Sequence, residues 1–359
     1  MLDRIASPDP ALRAARLGSQ LLTSRSATTP EAVVDQLLAV QAQDLRAARL
    51  SIRSRTTGLL ATEVDAALTD RRTLVIASLM RTTLHLVAAA DHWWLHDLLT
   101  PRQRTTSTTR LRQEGVSEEQ AERGVAVIAE AVQSGPLTRD QLRTLLDDAS
   151  VPTAGQALVH VQHAAAIEGH TVRGPMVDGQ HAFVHAPTWL GDRPDEDRSV
   201  QLARLAERYL VGHGPAAPED LVKWTGLALG ECRKGFAAID DRTEPWGTDG
   251  LVRLTDQPIE TSELPTPRLL GGFDPILHGW VSRKEFVPID QGVVTSNGIF
   301  RPTALVDGQV VATWTMPKGQ ATLKPISEIP GRAMQALAEE AEDVARYLEI
   351  EPKPLAVAG

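Results

Sequence analysis

The chain is poor in the residues from which several kinds of protein are built. Its 359 residues include one cysteine, Cys232. That excludes an internal disulfide framework and a thiolate zinc cluster, and it points to a reducing compartment, the cytoplasm. No run approaches the roughly 20 apolar residues of a membrane helix. The opening Met1-Leu2-Asp3-Arg4-Ile5 lacks the basic head and apolar stretch of a secretory leader. Gly-x-Gly-x-x-Gly, Walker and Gly-x-Ser-x-Gly motifs are all missing, so neither a nucleotide cofactor nor a serine-hydrolase elbow is expected. Histidines are scattered; His160 and His163 stand three apart on a predicted helix without a third ligand, so no metal is expected. Lysine is absent before Lys223.

What is present is arginine, unevenly placed. The whole chain carries a formal charge of −9, yet residues 1–115 hold 15 arginines against 11 acids, a net of +4, leaving −13 for the rest. Such asymmetry fits an N-terminal third facing an anionic partner, and the planar guanidinium suits phosphate. An arginine-rich coding bias with solvated side chains fits the charge equally well. The 42% hydrophobic content is that of a folded protein with room for two or three domains.

The pattern of elements predicts an α+β fold, mainly α. Thr29-Pro30-Glu31 opens a helix with proline at its first position. A second helix covers Thr62–Leu68, and strands are expected at Thr73–Ile76 and Leu79–Val87. Helices leading into a hairpin outline a winged helix, and the outline recurs. Ser117–Val132, Arg139–Ala149 and Gly155–Glu168 read as helices before a wing-like hairpin around Gly174–Gly179. A third copy starts at Arg198 and ends in a strand at Leu251–Leu254. From about Pro265 the texture becomes short strands. Ser296-Asn297-Gly298 and Asp307-Gly308 serve as hairpin turns, suggesting a small β-barrel or curled sheet before a closing helix at Pro330–Glu349. The expected divisions are 1–115, 116–196, 197–264 and 265–359, that is, three tandem winged-helix modules and a C-terminal barrel.

Chemically the odd segment is Leu37–Arg46, where Gln41 and Gln43 follow an apolar helix stripe. Two residues apart, they share a face only if the helix stops and the backbone extends. Primary amides donate and accept together, so they suit a positioned water or a base edge; a solvated polar helix end is the plainer alternative.

Val40-Gln41-Ala42-Gln43-Asp44 resembles the Gln-x-Gln catalytic motif of the AlkZ-type bacterial DNA glycosylases, which share a family with the YcaQ (AlkX) enzymes. Arg81-Thr82-Thr83-Leu84-His85 is similar to that family's Arg-x-Thr-x-His segment. Gly214-Pro215, Trp224-Thr225-Gly226, Phe273-Asp274-Pro275, Gly279, Arg283, Asn297-Gly298, Arg301-Pro302, Asp307-Gly308 and Trp314 extend the resemblance in order over nearly the whole chain. It implies a C-shaped clamp of three winged helices and a barrel acting on double-stranded DNA. It also implies monofunctional excision of alkylated bases, bulky and cross-linked N7-alkylguanines included. Gln43, where the YcaQ branch has Asp, places the chain on the AlkZ side. Gln41 and Gln43 are the expected catalytic pair. Arg46, Arg53, Arg81, Thr83, His85, Arg283 and Arg301 are candidates for DNA contact, with Arg49 and Arg55 also near the motif. Arg81 with His85, and Arg283 with Arg301, are equally open to structural roles. A monomer is expected. The competing class is a non-catalytic winged-helix regulator, disfavoured because Gly155–Glu168 contains no Arg or Lys to read bases.

Overall fold

The computed structural model describes residues 9–177, 179–247, 249–257, 264–288 and 292–358. Most of the N-terminal segment read for a leader, and Asp178 of the wing turn, lie outside them. The chain divides into two bodies, Met1–Val64 with Leu202–Gly359, and Asp65–Gln201.

The N-terminal part of the first body is helical. Asp9 caps α1 (Pro10–Ser19). Thr29 caps α2 (Pro30–Leu37), accepting from the Ala32 N–H, as the Thr-Pro-Glu signal predicts. The helix stops at Leu37 because Leu38 takes a left-handed φ of 64°; the apolar run to Val40 therefore overstates its length. Strand β1 (Val40–Gln41) follows, and Asp44 then caps α3 (Leu45–Arg53). Helix α4 spans Ala61–Thr69.

The second body is built around an antiparallel sheet. Strands β2 (Leu74–Ser78) and β3 (Leu84–Ala88) pair in a hairpin whose tip, Met80–Thr82, is a helical turn and not strand. Helices α5 (His92–Leu99), α6 (Gln103–Gln113), α7 (Glu118–Ala131), α8 (Arg139–Asp148) and α9 (Ala157–Ile167) follow. Ser117 with Gln120 and Thr138 with Gln141 form reciprocal capping boxes that start α7 and α8. Strands β4 (Thr171–Val177) and β5 (Gln180–His185) make the expected wing-like hairpin. It does not stand alone: Ile76 of β2 pairs with Arg173 of β4, giving the order β3-β2-β4-β5. A pairing across about a hundred residues leaves no local trace in sequence. Leu111, Ile128, Leu142, Leu146, Leu158, Val161 and Phe183 lie in the core beneath α6–α9. Helix α10 (Ala186–Leu190) closes this part.

The first body resumes within α11 (Arg198–His213), followed by α12 (Pro218–Thr225), α13 (Leu229–Ala237) and the hairpin β6 (Thr243–Trp246) with β7 (Leu251–Leu254). Strands β8 (Arg268–Leu270), β9 (Thr303–Val306), β10 (Gln309–Thr315) and β11 (Thr322–Pro325) precede the long α14 (Gly331–Tyr347) and β12 (Ala356–Val357). Asp307 (φ 51°) and Gly308 (φ 73°) make the two-residue turn between β9 and β10, the left-handed pair that such a turn demands. Ser296-Asn297-Gly298 also reads from sequence as a type I′ turn, but only Gly298 has positive φ there, so the turn is of another type. The sheet runs β12-β11-β10-β9-β8 and does not close among the described residues, so the curled-sheet alternative, not a closed barrel, describes it. Leu50 of α3, Leu269, Trp314, Leu323, Leu337 and Tyr347 share its core. No described helix is long and apolar enough to cross a membrane.

Candidate active site

The glutamine motif sits in the first body, on the short stretch between α2 and α3. Because α2 ends at Leu37, Gln41 lies on the extended β1 and not on a helix, and Gln43 follows in a bend before α3. Gln41 is buried, at 8% exposure, and Gln43 is exposed. Asp44 is committed elsewhere: its Oδ1 accepts from the Ala47 N–H at 3.1 Å as the cap of α3. The one carboxylate beside the motif is thus occupied in holding the helix start, which leaves two neutral amides.

The arginines after the motif separate sharply. Arg46 is exposed on the first turn of α3 and Arg49 is half-buried. Arg53, expected at DNA, is instead 1% exposed; its guanidinium meets Glu340 at 2.6 Å and Asp343 at 2.9 Å and donates to the Leu269 carbonyl at 2.7 Å. Arg55 is fully buried in a bidentate pair with Asp274, both contacts 2.9 Å, and donates to Gln20 Oε1. Neither has a face to offer a phosphate, so both leave the set of DNA contacts. Removing one partner from such a buried pair costs about 3–5 kcal/mol. The Arg53 guanidinium holds the Glu340 and Asp343 carboxyls below their usual range, against the opposing effect of burial.

Other matched residues of the first body also prove to be framework. Asp274 holds Arg55 and caps the turn at Ile276. A Cβ on Gly279 would lie 2.7 Å from the His213 ring, so no larger residue fits there. That ring stacks on Tyr209 (4.7 Å, 12°) and touches Trp224 and Trp280. Burial lowers the His213 pKa to about 3, keeping it neutral. Trp314 donates from Nε1 to the Leu270 carbonyl. Arg283 lies over the Phe300 ring at 5.0 Å, half-buried, while Arg301 is exposed.

In the second body, Arg81 is not on a strand, contrary to the expected alternation. It occupies the hairpin tip with φ 50°, followed by Thr82 at φ 66°. Consecutive left-handed non-glycine residues are strained and persist only when their surroundings hold them. Here Gln103 does so: its Oε1 accepts from the Thr82 N–H at 3.1 Å, and its Nε2 donates to the Leu79 and Leu99 carbonyls. Sequence reasoning missed this residue, since a glutamine at a helix start carries no signal of what it will grip. Arg81 is exposed; the Thr83 hydroxyl donates to the Met80 carbonyl at 2.8 Å, and His85 is buried with Nδ1 3.1 Å from the Thr83 carbonyl. Ser78 Oγ and His163 Nδ1 are 3.0 Å apart, which engages one of the two helical histidines. Among the described residues no three His, Cys, Asp or Glu side chains gather as a metal site.

Comparison with known proteins identifies the family. The family model for DNA glycosylase AlkZ-like proteins matches residues 34–347. An interstrand DNA cross-link repair glycosylase from Streptomyces sahachiroi is 25% identical over 362 residues, covering 95% of this chain and 97% of that one. The solved structure of the Streptomyces sahachiroi DNA glycosylase AlkZ superposes with a TM-score of 0.81 at 22% identity, over 99% of this chain and all of that one, and so shares its fold. With the family match running from α2 to the end of α14, the chain belongs to the AlkZ-like DNA glycosylases and is an enzyme of that class.

Proposed function

We propose that this glycosylase hydrolyses the N-glycosidic bond of alkylated purines in duplex DNA, N7-alkylguanines and their bulky or cross-linked forms included, using Gln41 and Gln43. The observation that carries the reading is Gln41 on extended backbone, Gln43 in the bend after it, and the adjacent carboxylate of Asp44 engaged as a helix cap. The cross-link repair activity named for the Streptomyces relative supports the bulky end of the substrate range.

The chemistry suits amides. Alkylation at N7 leaves the purine positively charged, so N9 departs with the bonding electron pair and neutralises the ring. Little general-acid help is needed. What remains is to hold a water at C1′ and stabilise an oxocarbenium-like sugar while the C1′–O bond forms and the water proton passes to solvent. An amide can orient that water by donating and accepting, but it is no base near neutral pH. The enzyme is therefore restricted to labile, cationic bases. Lysines occur only from Lys223 onward, and the glutamine motif carries no amine; this supports hydrolysis without a Schiff-base lyase step.

The test is an abasic-site gel assay on duplex carrying N7-methylguanine. Gln41→Ala is expected to lower excision by about 100-fold, the scale of losing one aligned transition-state contact. Undiminished excision by that variant would overturn the assignment.

A further inference from the structure

The second body contains a cation pair that nothing above uses. Arg173, half-buried in β4, lays its guanidinium on the ring of Phe183, its cross-strand partner in β5, 3.6 Å from the centroid. The ladder shifts register between Arg173 and Met176, and such a bulge re-aims side chains. Phe183 also exchanges both backbone hydrogen bonds with Leu137, at 2.9 and 2.8 Å. Leu137 stands two residues before Arg139, the first residue of α8. That pairing brings the start of α8, with Arg139, beside β4; burial, with the charge of Arg139 adding to it, brings the Arg173 pKa down to about 10. Arg139 Nε is buried without an acceptor, and neither guanidinium has an ion-pair partner among the described residues.

The buried arginines of the first body each have a carboxylate: Arg16 with Asp220, Arg53 with Glu340, Arg55 with Asp274 and Arg268 with Glu340. Two like charges held close together repel, and no described carboxylate forms an ion pair with either of them. An anion brought by a ligand would relieve the repulsion. Guanidinium forks match phosphate oxygens, and a ring-stacked Arg173 is already oriented.

We propose that Arg139 and Arg173 form a binding corner for a backbone phosphate of duplex DNA. The corner contributes affinity and register and reads no sequence. It rests on the reading of the protein as an enzyme of duplex DNA, and it adds a contact remote in sequence from the glutamine motif.

The test measures binding of a short undamaged duplex across a salt titration, for the full chain and for Arg139→Gln, Arg173→Gln and the double variant. Each lost phosphate contact lowers the slope of log K against log salt by about 1; the double variant should bind at least about tenfold more weakly at low salt. Arg173→Lys should recover the slope but not all of the affinity, since it keeps the charge and loses the fork. An unchanged slope in the double variant overturns the proposal, with or without a lower melting temperature. So does inorganic phosphate that binds the wild-type chain while the duplex slope stays the same, because the corner then serves a free anion. Excision of N7-methylguanine at saturating enzyme separates this from the catalytic reading. The double variant should keep its single-turnover rate, whereas Gln41→Ala should lose excision and keep the wild-type salt slope.

Discussion

The two bodies use arginine in opposite ways. In the first, guanidiniums are turned inward and neutralised, tying α3 to α14 through Arg53 and to the Phe273-Asp274-Pro275 turn through Arg55. In the second, Arg81 stands exposed on a strained tip, and Arg139 and Arg173 have no carboxylate partner among the described residues. The same side chain is framework at Arg53 and Arg55 and presented at Arg81. Position in the sequence does not distinguish them: Arg46 and Arg53 share one short helix and meet opposite fates.

The largest effect that would break this contrast is on stability. Arg53→Ala removes the nearest cation from buried Glu340, which keeps only Arg25 at 3.2 Å and Arg268 at 3.7 Å, and unfolding free energy should fall by about 3 kcal/mol in denaturant titrations. Arg173→Ala strands no carboxylate and forfeits only a ring contact, so its loss should stay near about 1 kcal/mol. Similar losses from the two substitutions would erase the distinction.

Acid provides a second comparison. Burial lowers the pKa of His92 to about 3 and of His163 to about 4 in the second body, and of His213 to about 3 in the first. Each is held neutral when folded and gains a proton when unfolded below its usual pKa of about 6.5. Its contribution is complete above that pH and declines as pH falls toward 3–4, at roughly 1.4 kcal/mol per pH unit per fully buried histidine. The depressed Glu340 and Asp343 carboxyls act lower, their contribution being present above the ordinary carboxylate range and lost only as pH falls through it. Between pH 6 and 4.5 the second body, with two such histidines, should lose hydrogen-exchange protection more steeply than the first. Substitution His92→Phe should flatten that decline. Equal slopes in the two bodies would count against the account.

The smallest effect sharpens the reading of the motif. Asp44→Ala removes the cap of α3 at about 1 kcal/mol, and Asp44→Asn, which still caps, should be nearly silent. Excision by the Asn variant should match wild type. A large loss of excision with stability unchanged would show that this carboxylate takes part in the chemistry.

Much of the secondary structure was legible because its signals are local. Thr29, Ser117 and Thr138 start their helices where their side chains predict, and Asp307-Gly308 turns where its backbone must. The strand expected at Leu79–Val87 was too long because alternation does not reveal a tip held by Gln103 from α6. The joining of β2 to β4, the burial of Arg53 and the meeting of Arg139 with Arg173 all depend on partners far along the chain. Of the site, spacing alone left Gln41 and Gln43 open to a solvated helix end, and only the ordered resemblance along the chain singled them out. Which arginines remain available was not legible.

The lock between Arg55 and Asp274 has a consequence for classification. Asp274, Gly279 and Trp314 are among the residues by which the chain resembles its family, and each is engaged in holding the frame. A match on them certifies architecture and is indifferent to chemistry. A relative that kept all three and replaced Gln41 would still be gathered into the same group, with the proposed catalytic amide gone. Assigning the activity across such a group therefore requires inspecting the short stretch between α2 and α3 in every member, whatever the total similarity.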